Sequence, residues 1–454
     1  MRERPGPQRR TGDRRPGPGR GRPPAEVPGL APRRGALTLL SAVLDRGQML
    51  DEAGLEGLDG PGRAEAHGLA DLALRHLPAI DRRLEAFVAT PPPSQGRHIL
   101  RLMAAEIDLA GTAPHAAVDS AVRLARGNRL TVRLAGLVNA VGRRLAEAPA
   151  PETATADPLA DAPGWLARRL VADWGEEAAR ATLAAHGRQP PHDLTPRVAA
   201  DAEVLAAELD AMLLPSGSLR LAGRPQISRL AGFAEGAWWV QDAAAALPVR
   251  LLGDVEGQRV LDLCAAPGAK TLQLAAAGAR VTALDANPRR LGRLADNLER
   301  CRLAAEIVEA DARDWTPGAP FDAILLDAPC SATGTIRRHP DLPHRSDEAG
   351  AAAQLATLTE LQAGLLDRAV DWLAPSGRMV FATCSLFRAE GEAQVAALSD
   401  RRPGVVLDPL APDDPALPPG SVTAEGWLRT MPSMLGEIGG LDGFFAARLR
   451  RSAG

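Results

Sequence analysis

Two cysteines stand just past the ends of two predicted strands: Cys330 in the segment DAPC (residues 327–330) and Cys384 in the segment ATCS (residues 382–385). Because ligands bind at the carboxyl ends of the strands in a parallel sheet, both thiols are expected at the ligand-binding edge. A thiolate there can act as a covalent nucleophile once its pKa is lowered. The alternative for any cysteine is burial in an apolar core, which is the state expected for Cys301.

Carboxylates follow three strands at the same predicted edge. Asp285 ends the second strand, 17 residues beyond Gly268, and Asp311 and Asp327 end the third and the fourth. A carboxylate at the position of Asp285 suits acceptance of hydrogen bonds from both hydroxyls of a ribose. A single acid could be an exposed turn residue, but three in series at strand ends indicate a binding site.

The first strand runs into a loop of small residues that opens a helix. Small side chains let the backbone approach a ligand, and a helix N-terminus favours a carboxylate or a phosphate. The loop has no G-x-G-x-x-G fingerprint, and it lacks two of the glycines that a P-loop requires. It therefore predicts a different nucleotide-type site, made of Cys264, Ala265, Ala266, Pro267, Gly268, Ala269 and Lys270.

Five short apolar strands alternate with helical segments from about residue 222 onward. These elements must position the cysteines, the acids and the loop described above. The pattern predicts an α/β domain with a doubly wound, mostly parallel sheet over residues 222–454. The strands are RVLDLCA, ARVTALDA, AEIVEADA, FDAILLDA and GRMVFATCS.

The first half of the chain has a different pattern. Residues 35–148 repeat apolar positions at spacings of three and four, which predicts an all-α domain. Residues 149–162 are typical of a linker, and residues 163–221 are expected to form a connecting subdomain. A cationic helical surface near the end of the all-α domain could follow an RNA backbone, and an ordinary solvated face is the alternative. Its six arginines are Arg123, Arg126, Arg129, Arg133, Arg143 and Arg144.

Composition excludes several classes of protein. The net charge of −3 combines a balance of +7 over residues 1–34 with about −10 over the rest. The basic segment 1–34 is expected to be a disordered tail, either a phosphate-binding arm or simply solvated. No apolar stretch approaches the ~18 residues of a membrane span, and no secretory signal is present. The four cysteines form no CxxC pair, so neither a metal site nor a disulfide is expected. The sequence thus predicts a cytoplasmic protein without a membrane partner.

Several longer motifs are distinctive: DLCAAPGAKT, LDANPRRLGRLADNLER, DAPCSATGTIRRHPD and ATCSLFRAEGE, with DGFFAARLRR as a final strand. In these motifs the sequence resembles the RsmB/Sun family of RNA cytosine-5 methyltransferases. The resemblance implies a Rossmann-like methyltransferase domain that uses S-adenosylmethionine, preceded by a NusB-like RNA-binding domain. Together these cover roughly residues 35–450. Ala269 and Ala332 replace glycines that are common in the family, so Ala269 could tighten the cofactor loop and Ala332 could restrict the loop of Cys330.

The resemblance also implies a role for each site residue. Cys384 would add to carbon 6 of a cytosine, and Cys330 would assist removal of the carbon-5 proton or release of the product. Asp327 would contact both the cofactor and the edge of the base. Arg337 and Arg338 are expected to contact RNA phosphates. The target base must be unstacked or single-stranded, because it cannot be reached inside a duplex.

The expected activity is therefore methylation of carbon 5 of a specific cytosine in 16S ribosomal RNA. A transfer RNA substrate is an alternative, and the NusB-like domain argues mildly against it. A catalytically vestigial RNA-binding or antitermination factor is disfavoured, because both cysteines and all three acids are present. A small-molecule methyltransferase would need neither the two cysteines nor the helical domain.

Overall fold

The computed structural model describes residues 29–149 and 157–452. Residues 1–28 of the predicted basic tail and residues 150–156 of the predicted linker lie outside the described residues.

The N-terminal part is a helical domain built around one central helix. Helix α4 is buried along Ile99–Glu106, and the other helices pack around it. Gly127 caps α5 and donates its N–H to the carbonyl oxygen of Arg123. The helices are α1 (Leu30–Arg46), α2 (Gly60–Arg75), α3 (Leu77–Glu85), α4 (Ser94–Asp108), α5 (Pro114–Arg126) and α6 (Ala135–Glu147).

The predicted boundary of the basic tail at residue 34 is wrong, because helix α1 already begins at Leu30. Proline is tolerated in a first helical turn, where its missing N–H has no partner to lose, so Pro32 does not delay the helix. Arg33 is held by the buried carboxylate of Glu106 on α4, with Nε 3.0 Å from Oε1. Composition alone does not reveal this long-range partner.

A connecting region follows, with two helices and a small antiparallel sheet. The strand order is β2-β3-β1-β4. Strand β4 lies beyond residue 221, so the predicted division between the connecting subdomain and the α/β domain is about twenty residues too early. The elements are α7 (Gly164–Trp174), α8 (Glu176–His186), β1 (Asp193–Pro196), α9 (Ala202–Glu208), β2 (Ala211–Leu213), β3 (Leu219–Leu221) and β4 (Trp238–Val240).

The C-terminal domain is an eight-stranded mixed sheet with helices on both faces. Its main path is β10-β12-β9-β8-β5-β6-β7, and β11 pairs with β12. The elements are α10 (Ala243–Leu251), β5 (Arg259–Leu263), α11 (Ala269–Ala276), β6 (Arg280–Asp285), α12 (Pro288–Cys301), β7 (Glu306–Glu309), β8 (Phe321–Asp327), α13 (Glu348–Trp372), β9 (Leu373–Thr383), α14 (Glu392–Arg401), β10 (Val405–Leu407), β11 (Leu428–Thr430) and β12 (Phe444–Arg451).

The neighbouring strands β9, β8, β5, β6 and β7 run parallel to one another, whereas β12 is antiparallel to β9. Alternate residues of β5 face opposite sides, so that Leu261 packs with Leu366 of α13 and Val260 packs with Leu247 of α10. This confirms the predicted α/β fold with a doubly wound, mostly parallel sheet. The carboxyl ends of β5, β6, β8 and β9 meet at one edge.

A buried ion pair joins the small sheet to the α/β domain. Asp193 is fully buried and accepts hydrogen bonds from Nε and Nη2 of Arg220, both at 2.8 Å. The same carboxylate accepts from the backbone N–H of Ala243, at the first turn of α10, at 3.0 Å. One carboxylate therefore fixes β3 and the start of α10 at the same time.

Replacing Asp193 should destabilise this junction strongly. Asp193→Ala leaves the Arg220 guanidinium buried without its counter-charge, which costs roughly 3–5 kcal/mol. The exposed pair of Arg123 and Asp119 on α5 gives a matched control, since Asp119→Ala should cost less than about 1 kcal/mol. Denaturant unfolding followed by tryptophan fluorescence measures both changes. Equal midpoints for the two variants would contradict the structural role of Asp193.

Candidate active site

The loop between β5 and α11 is shaped by residues with positive φ. Gly268, the residue before α11, has φ of 107°, and a Cβ there would lie 2.2 Å from Cδ1 of Leu294. Only glycine fits this position, which leaves the backbone bare where a ligand can approach. Ala269 is the first residue of α11, a conformation that alanine adopts freely, so this departure from the family carries no strain.

Asp285 ends β6 and lies directly under that loop. Its carboxylate accepts from the backbone N–H of Ala266 at 3.1 Å and from that of Asn287 at 2.9 Å. The side chain is buried, with Nη1 of Arg290 at 3.9 Å from Oδ2. The carboxylate is thus held rigidly, and each oxygen keeps a lone pair for a further donor.

Asp311 comes two residues after β7, at the same end of the sheet. Hydrogen bonds from the side chain of Arg313, together with its backbone N–H, lower the pKa of Asp311 to about 2. The acid is therefore fully ionised at neutral pH, and it lies at the edge predicted for it from its place after a strand.

Asp327 ends β8 and pairs with the single lysine of the chain. Nζ of Lys270 donates to Oδ2 of Asp327 at 2.7 Å and lies 5.3 Å from the centre of the Phe444 ring. Burial alone lowers the pKa of Lys270, but the charges of Asp327, Cys384 and Asp262 outweigh burial and raise it. Lys270 is therefore a fixed positive charge at the centre of the strand edge.

The two predicted cysteines meet beside this ion pair. Sγ of Cys330 lies 3.4 Å from Sγ of Cys384, although 54 residues separate them in the sequence. The hydrogen bond with Cys384 raises the pKa of Cys330 well above its usual range, and burial adds to this. Cys330 is thus held as a neutral thiol next to the second sulfur.

Ala332 follows Cys330 by two residues and has φ of 55°. This left-handed conformation costs an alanine roughly 1–2 kcal/mol more than a glycine. The loop nevertheless keeps its place, because Gly334 donates its N–H to the carbonyl oxygen of Cys384 at 2.9 Å. The glycine of the family would adopt this turn without strain.

Two buried acids at the site were not singled out from the sequence. Asp262, inside β5, accepts from Oγ1 of Thr271 at 2.5 Å, and its Oδ1 has no hydrogen-bond partner within residues 29–149 and 157–452. Burial raises the pKa of Asp262 to about 7. Glu390 is fully buried behind the two cysteine loops. A charged residue inside an apolar strand was the available signal for Asp262, and no local signal marks Glu390.

The expected contacts of Arg337 and Arg338 with phosphates are wrong. Arg337 is only 2% exposed, and Nη2 lies 3.1 Å from Oδ1 of Asp442. Arg338 donates from Nε to Asp442 at 2.9 Å and also bonds Asp242 and the carbonyl oxygen of Pro191. Both guanidinium groups form ion pairs with buried acids that are distant in the sequence. The two arginines therefore stabilise the fold beside the site.

The arginines predicted in the helical domain remain on its surface. Arg126, at the end of α5, and Arg133, in the turn before α6, are both exposed. A cavity of about 660 Å³ between α1, α4 and α5 is lined in part by Arg46, Arg123 and Arg129. This face therefore presents cationic groups around a concave surface.

The described residues contain no group of three or more histidines, cysteines, aspartates or glutamates placed to share a metal ion. Over the same ranges, no helix is both long enough and apolar enough to cross a membrane.

The sulfur contact predicts a specific pH dependence of alkylation. Cys384→Ala removes the hydrogen bond and the neighbouring charge that raise the pKa of Cys330, so the pH midpoint of Cys330 alkylation by iodoacetamide should fall toward 9. Peptide mass spectrometry over a pH series measures this midpoint. Cys264, whose pKa is raised chiefly by burial, is the internal control and should keep its profile. An unchanged Cys330 midpoint would show that the sulfurs do not interact.

The site also fits an adenosyl cofactor. Bare backbone at Gly268 leaves room for a ligand, Asp285 and Asp311 supply carboxylate acceptors, and Oδ1 of Asp262 is a buried acceptor that has no partner among the described residues.

Comparisons with known proteins agree with this arrangement. The profile described as "16S rRNA methyltransferase RsmB/F" matches residues 249–450, and that of the NusB family matches residues 30–147. A ribosomal RNA small subunit methyltransferase B from Xanthomonas campestris pv. campestris is 36% identical over 409 residues, covering 84% of this chain and 90% of its own length. The protein of the same name from Xylella fastidiosa Temecula1 is 36% identical over 444 residues, covering 93% and 98%.

Solved structures share the fold. The crystal structure of PH0851 has a TM-score of 0.72 at 23% identity and covers 94% of this chain and 99% of its own. A methyltransferase homologue from Pyrococcus horikoshii has a TM-score of 0.54 at 26% identity, covering 66% of this chain and 100% of its own. The chain therefore belongs to the RsmB/F family of S-adenosylmethionine-dependent 16S rRNA methyltransferases and carries a NusB-family domain before its catalytic domain.

Proposed function

We propose that the protein methylates carbon 5 of a cytosine in 16S ribosomal RNA, with Cys384 as the covalent nucleophile and Cys330 as the group that completes the reaction. The observation that carries this proposal is the pair of thiols 3.4 Å apart at the edge of the sheet, next to Lys270 and Asp327. A plain methyl transfer needs one acceptor atom and no sulfur. Two adjacent sulfurs suit a reaction in which one bonds to the substrate and the other acts on the product.

The chemistry of cytosine explains the need for a nucleophile. Carbon 5 is too weak to take a methyl group directly, so the Cys384 thiolate adds to carbon 6 and the ring electrons move toward carbon 5. The bound cofactor supplies a methyl group on a positively charged sulfur. Lys270 is a largely buried positive charge at the same edge of the sheet, and the charge of Asp327 raises its pKa in spite of burial. Asp327 holds Lys270 in this place.

Completion of the reaction requires two further bond changes. The proton on carbon 5 must leave, and its electron pair re-forms the ring double bond while the bond between carbon 6 and Cys384 breaks. The Cys330 thiol, 3.4 Å from the Cys384 sulfur, can give its proton to that sulfur as it leaves, and the resulting Cys330 thiolate, whose pKa is raised, can take the proton from carbon 5. It can assist release without competing for the first attack.

The cofactor would be held by the loop Cys264–Lys270 and the acids Asp285, Asp311 and Asp327. Asp285 is the strongest candidate to accept both ribose hydroxyls, since its carboxylate is already oriented by the N–H groups of Ala266 and Asn287.

The helical domain would bind RNA through its exposed arginines, Arg126 and Arg133, near the cationic cavity. Contacts of this kind are made to phosphates and depend on salt. The names of the relatives favour ribosomal RNA over transfer RNA as the substrate.

Loss of the Asp285 carboxylate should weaken cofactor binding. Two charge-assisted hydrogen bonds are worth at least about 1.5–3 kcal/mol, so Asp285→Ala should raise the Kd for S-adenosylmethionine about ten- to a hundredfold by calorimetry. Asp296→Ala, at an exposed position of α12, is the control and should leave the Kd unchanged. Unchanged affinity in a folded Asp285→Ala variant would remove Asp285 from the site.

The two cysteines should fail at different stages. Cys384→Ser should form no adduct and no 5-methylcytosine, because a serine hydroxyl is far less ionised than a thiol. Cys330→Ala should attack, methylate and then stall with RNA attached through Cys384. A denaturing gel with 16S ribosomal RNA and S-adenosylmethionine should therefore show a slow-migrating adduct with Cys330→Ala alone, and the double variant should lose it.

Transfer RNA in a parallel reaction tests the substrate, and bisulfite sequencing of the recovered RNA locates the methylated base. An adduct only with transfer RNA would transfer the proposal to that substrate. An adduct with Cys384→Ser would reverse the roles of the cysteines, and full turnover in both variants would refute the covalent mechanism.

A further inference from the structure

A fully buried carboxylate lies behind the two cysteine loops. Glu390 accepts four hydrogen bonds: from the backbone N–H of Ser331 at 2.9 Å, from Oγ of Ser331 and Oγ of Ser385 at 2.5 Å each, and from Nε2 of Gln362 at 3.1 Å. All four donors are uncharged groups. Burying a carboxylate without hydrogen bonds would cost several kcal/mol of folding free energy, so these four bonds are needed to keep Glu390 in its buried position.

The two serines are the residues that directly follow the two cysteines. Ser331 follows Cys330 and Ser385 follows Cys384, so the loop after β8 and the loop after β9 bond to the same carboxylate. Their hydroxyl oxygens also lie 3.1 Å from each other. Glu390 therefore bridges the two loops one residue away from the sulfurs.

The two loops depend on Glu390 to different degrees. Cys384 directly follows β9, an internal strand that is paired on both sides by β8 and β12. Cys330 lies in an irregular loop, and its neighbour Ser331 gives Glu390 two hydrogen bonds, from its backbone and from its hydroxyl. Loss of the carboxylate would free Cys330 more than Cys384.

We propose that Glu390 is a positioning residue: through Ser331 and Ser385 it holds the Cys330 sulfur at its short distance from the Cys384 sulfur. The functional consequence rests on the proposed two-cysteine reaction. Cys384 would still attack without this bridge, but Cys330 would be displaced at the stage where the product is released. Displacement of a reacting group by about 1 Å can cost a hundredfold in rate.

The separation of the sulfurs can be tested without RNA. The dithiol oxidant diamide takes up the two protons and two electrons that a thiol pair loses, and it should convert Cys330 and Cys384 rapidly to a disulfide in the unaltered protein. In Glu390→Gln the rate should fall by about tenfold or more. Oε2 of Glu390 accepts from both serine hydroxyls, whereas an amide NH2 in its place can only donate to them. Both short O–H···O bonds are then lost, and the loops are held by longer, weaker N–H···O contacts. Non-reducing peptide mass spectrometry identifies the bond and its rate of formation.

Glu106→Gln is the matched control. Glu106 is also a buried carboxylate, but it lies on α4 and pairs with Arg33. This variant should form the disulfide at the rate of the unaltered protein. A second variant, Ser331→Ala combined with Ser385→Ala, keeps the carboxylate and removes both hydroxyl bridges. This double variant should also slow formation of the disulfide, and it tests the proposal if Glu390→Gln does not fold.

The RNA adduct gives the functional readout. Glu390→Gln, with both cysteines present, should accumulate the adduct that Cys330→Ala traps, while its Kd for S-adenosylmethionine stays unchanged. A disulfide rate equal to that of the unaltered protein in a folded Glu390→Gln variant would overturn the proposal. Slow disulfide formation with no RNA adduct in Cys330→Ala would instead uphold the positioning role and refute the covalent function.

Discussion

The parallel pairing of β8 with β5 on one side and β9 on the other is the constraint on which the site depends. Asp327 at the end of β8 is paired with Ala382 near the end of β9. Cys330 comes three residues after the first and Cys384 two residues after the second, so the register brings the two cysteine loops to the same edge of the sheet. A shift of one residue would turn every side chain of β9 to the opposite face and separate the thiols.

The same edge concentrates negative charge, and Lys270 offsets it. Burial raises the pKa of Cys264, and the nearby charges of Asp285, Asp327 and Asp262 raise it further. Lys270 meets this cluster from the first turn of α11 and bonds Asp327 directly. The charge of Asp327 raises the pKa of Lys270 in spite of burial, so the single lysine of the chain keeps its positive charge at this edge.

The features that could be predicted from the sequence are those with a local signal. Short apolar strands followed by Asp285, Asp327 and the two cysteines predicted the sheet and its functional edge, because strand ends and turn residues are marked within a few positions. Partners that lie far away in the sequence could not be predicted. The acids that neutralise Arg338 are about a hundred residues away, so that segment had the appearance of a free cationic loop.

Glu390 shows the same limit at the site itself. It lies in a segment rich in polar residues, where an exposed glutamate is the ordinary expectation. Its burial follows from the meeting of two loops that are 54 residues apart, and only the structure joins their serines to one carboxylate. The start of α1 at Leu30 has a similar cause, since Glu106 holds Arg33 from another helix.

The segment that follows Cys330 also joins the site to the helical domain. The backbone N–H of Leu50 donates to Oδ2 of Asp341 at 3.2 Å, and Nε of Arg345 donates to the carbonyl oxygen of Gly47 at 3.1 Å. Nε2 of His344 donates to the carbonyl oxygen of Leu74 at 3.0 Å.

Burial lowers the pKa of His344 to about 4, so this contact is made by a neutral ring throughout the physiological range. Arg337 lies between Cys330 and these contact residues in the sequence, and its buried ion pair with Asp442 anchors this segment. An RNA bound as proposed on the helical domain would therefore meet a catalytic edge whose distance and orientation are set by these hydrogen bonds.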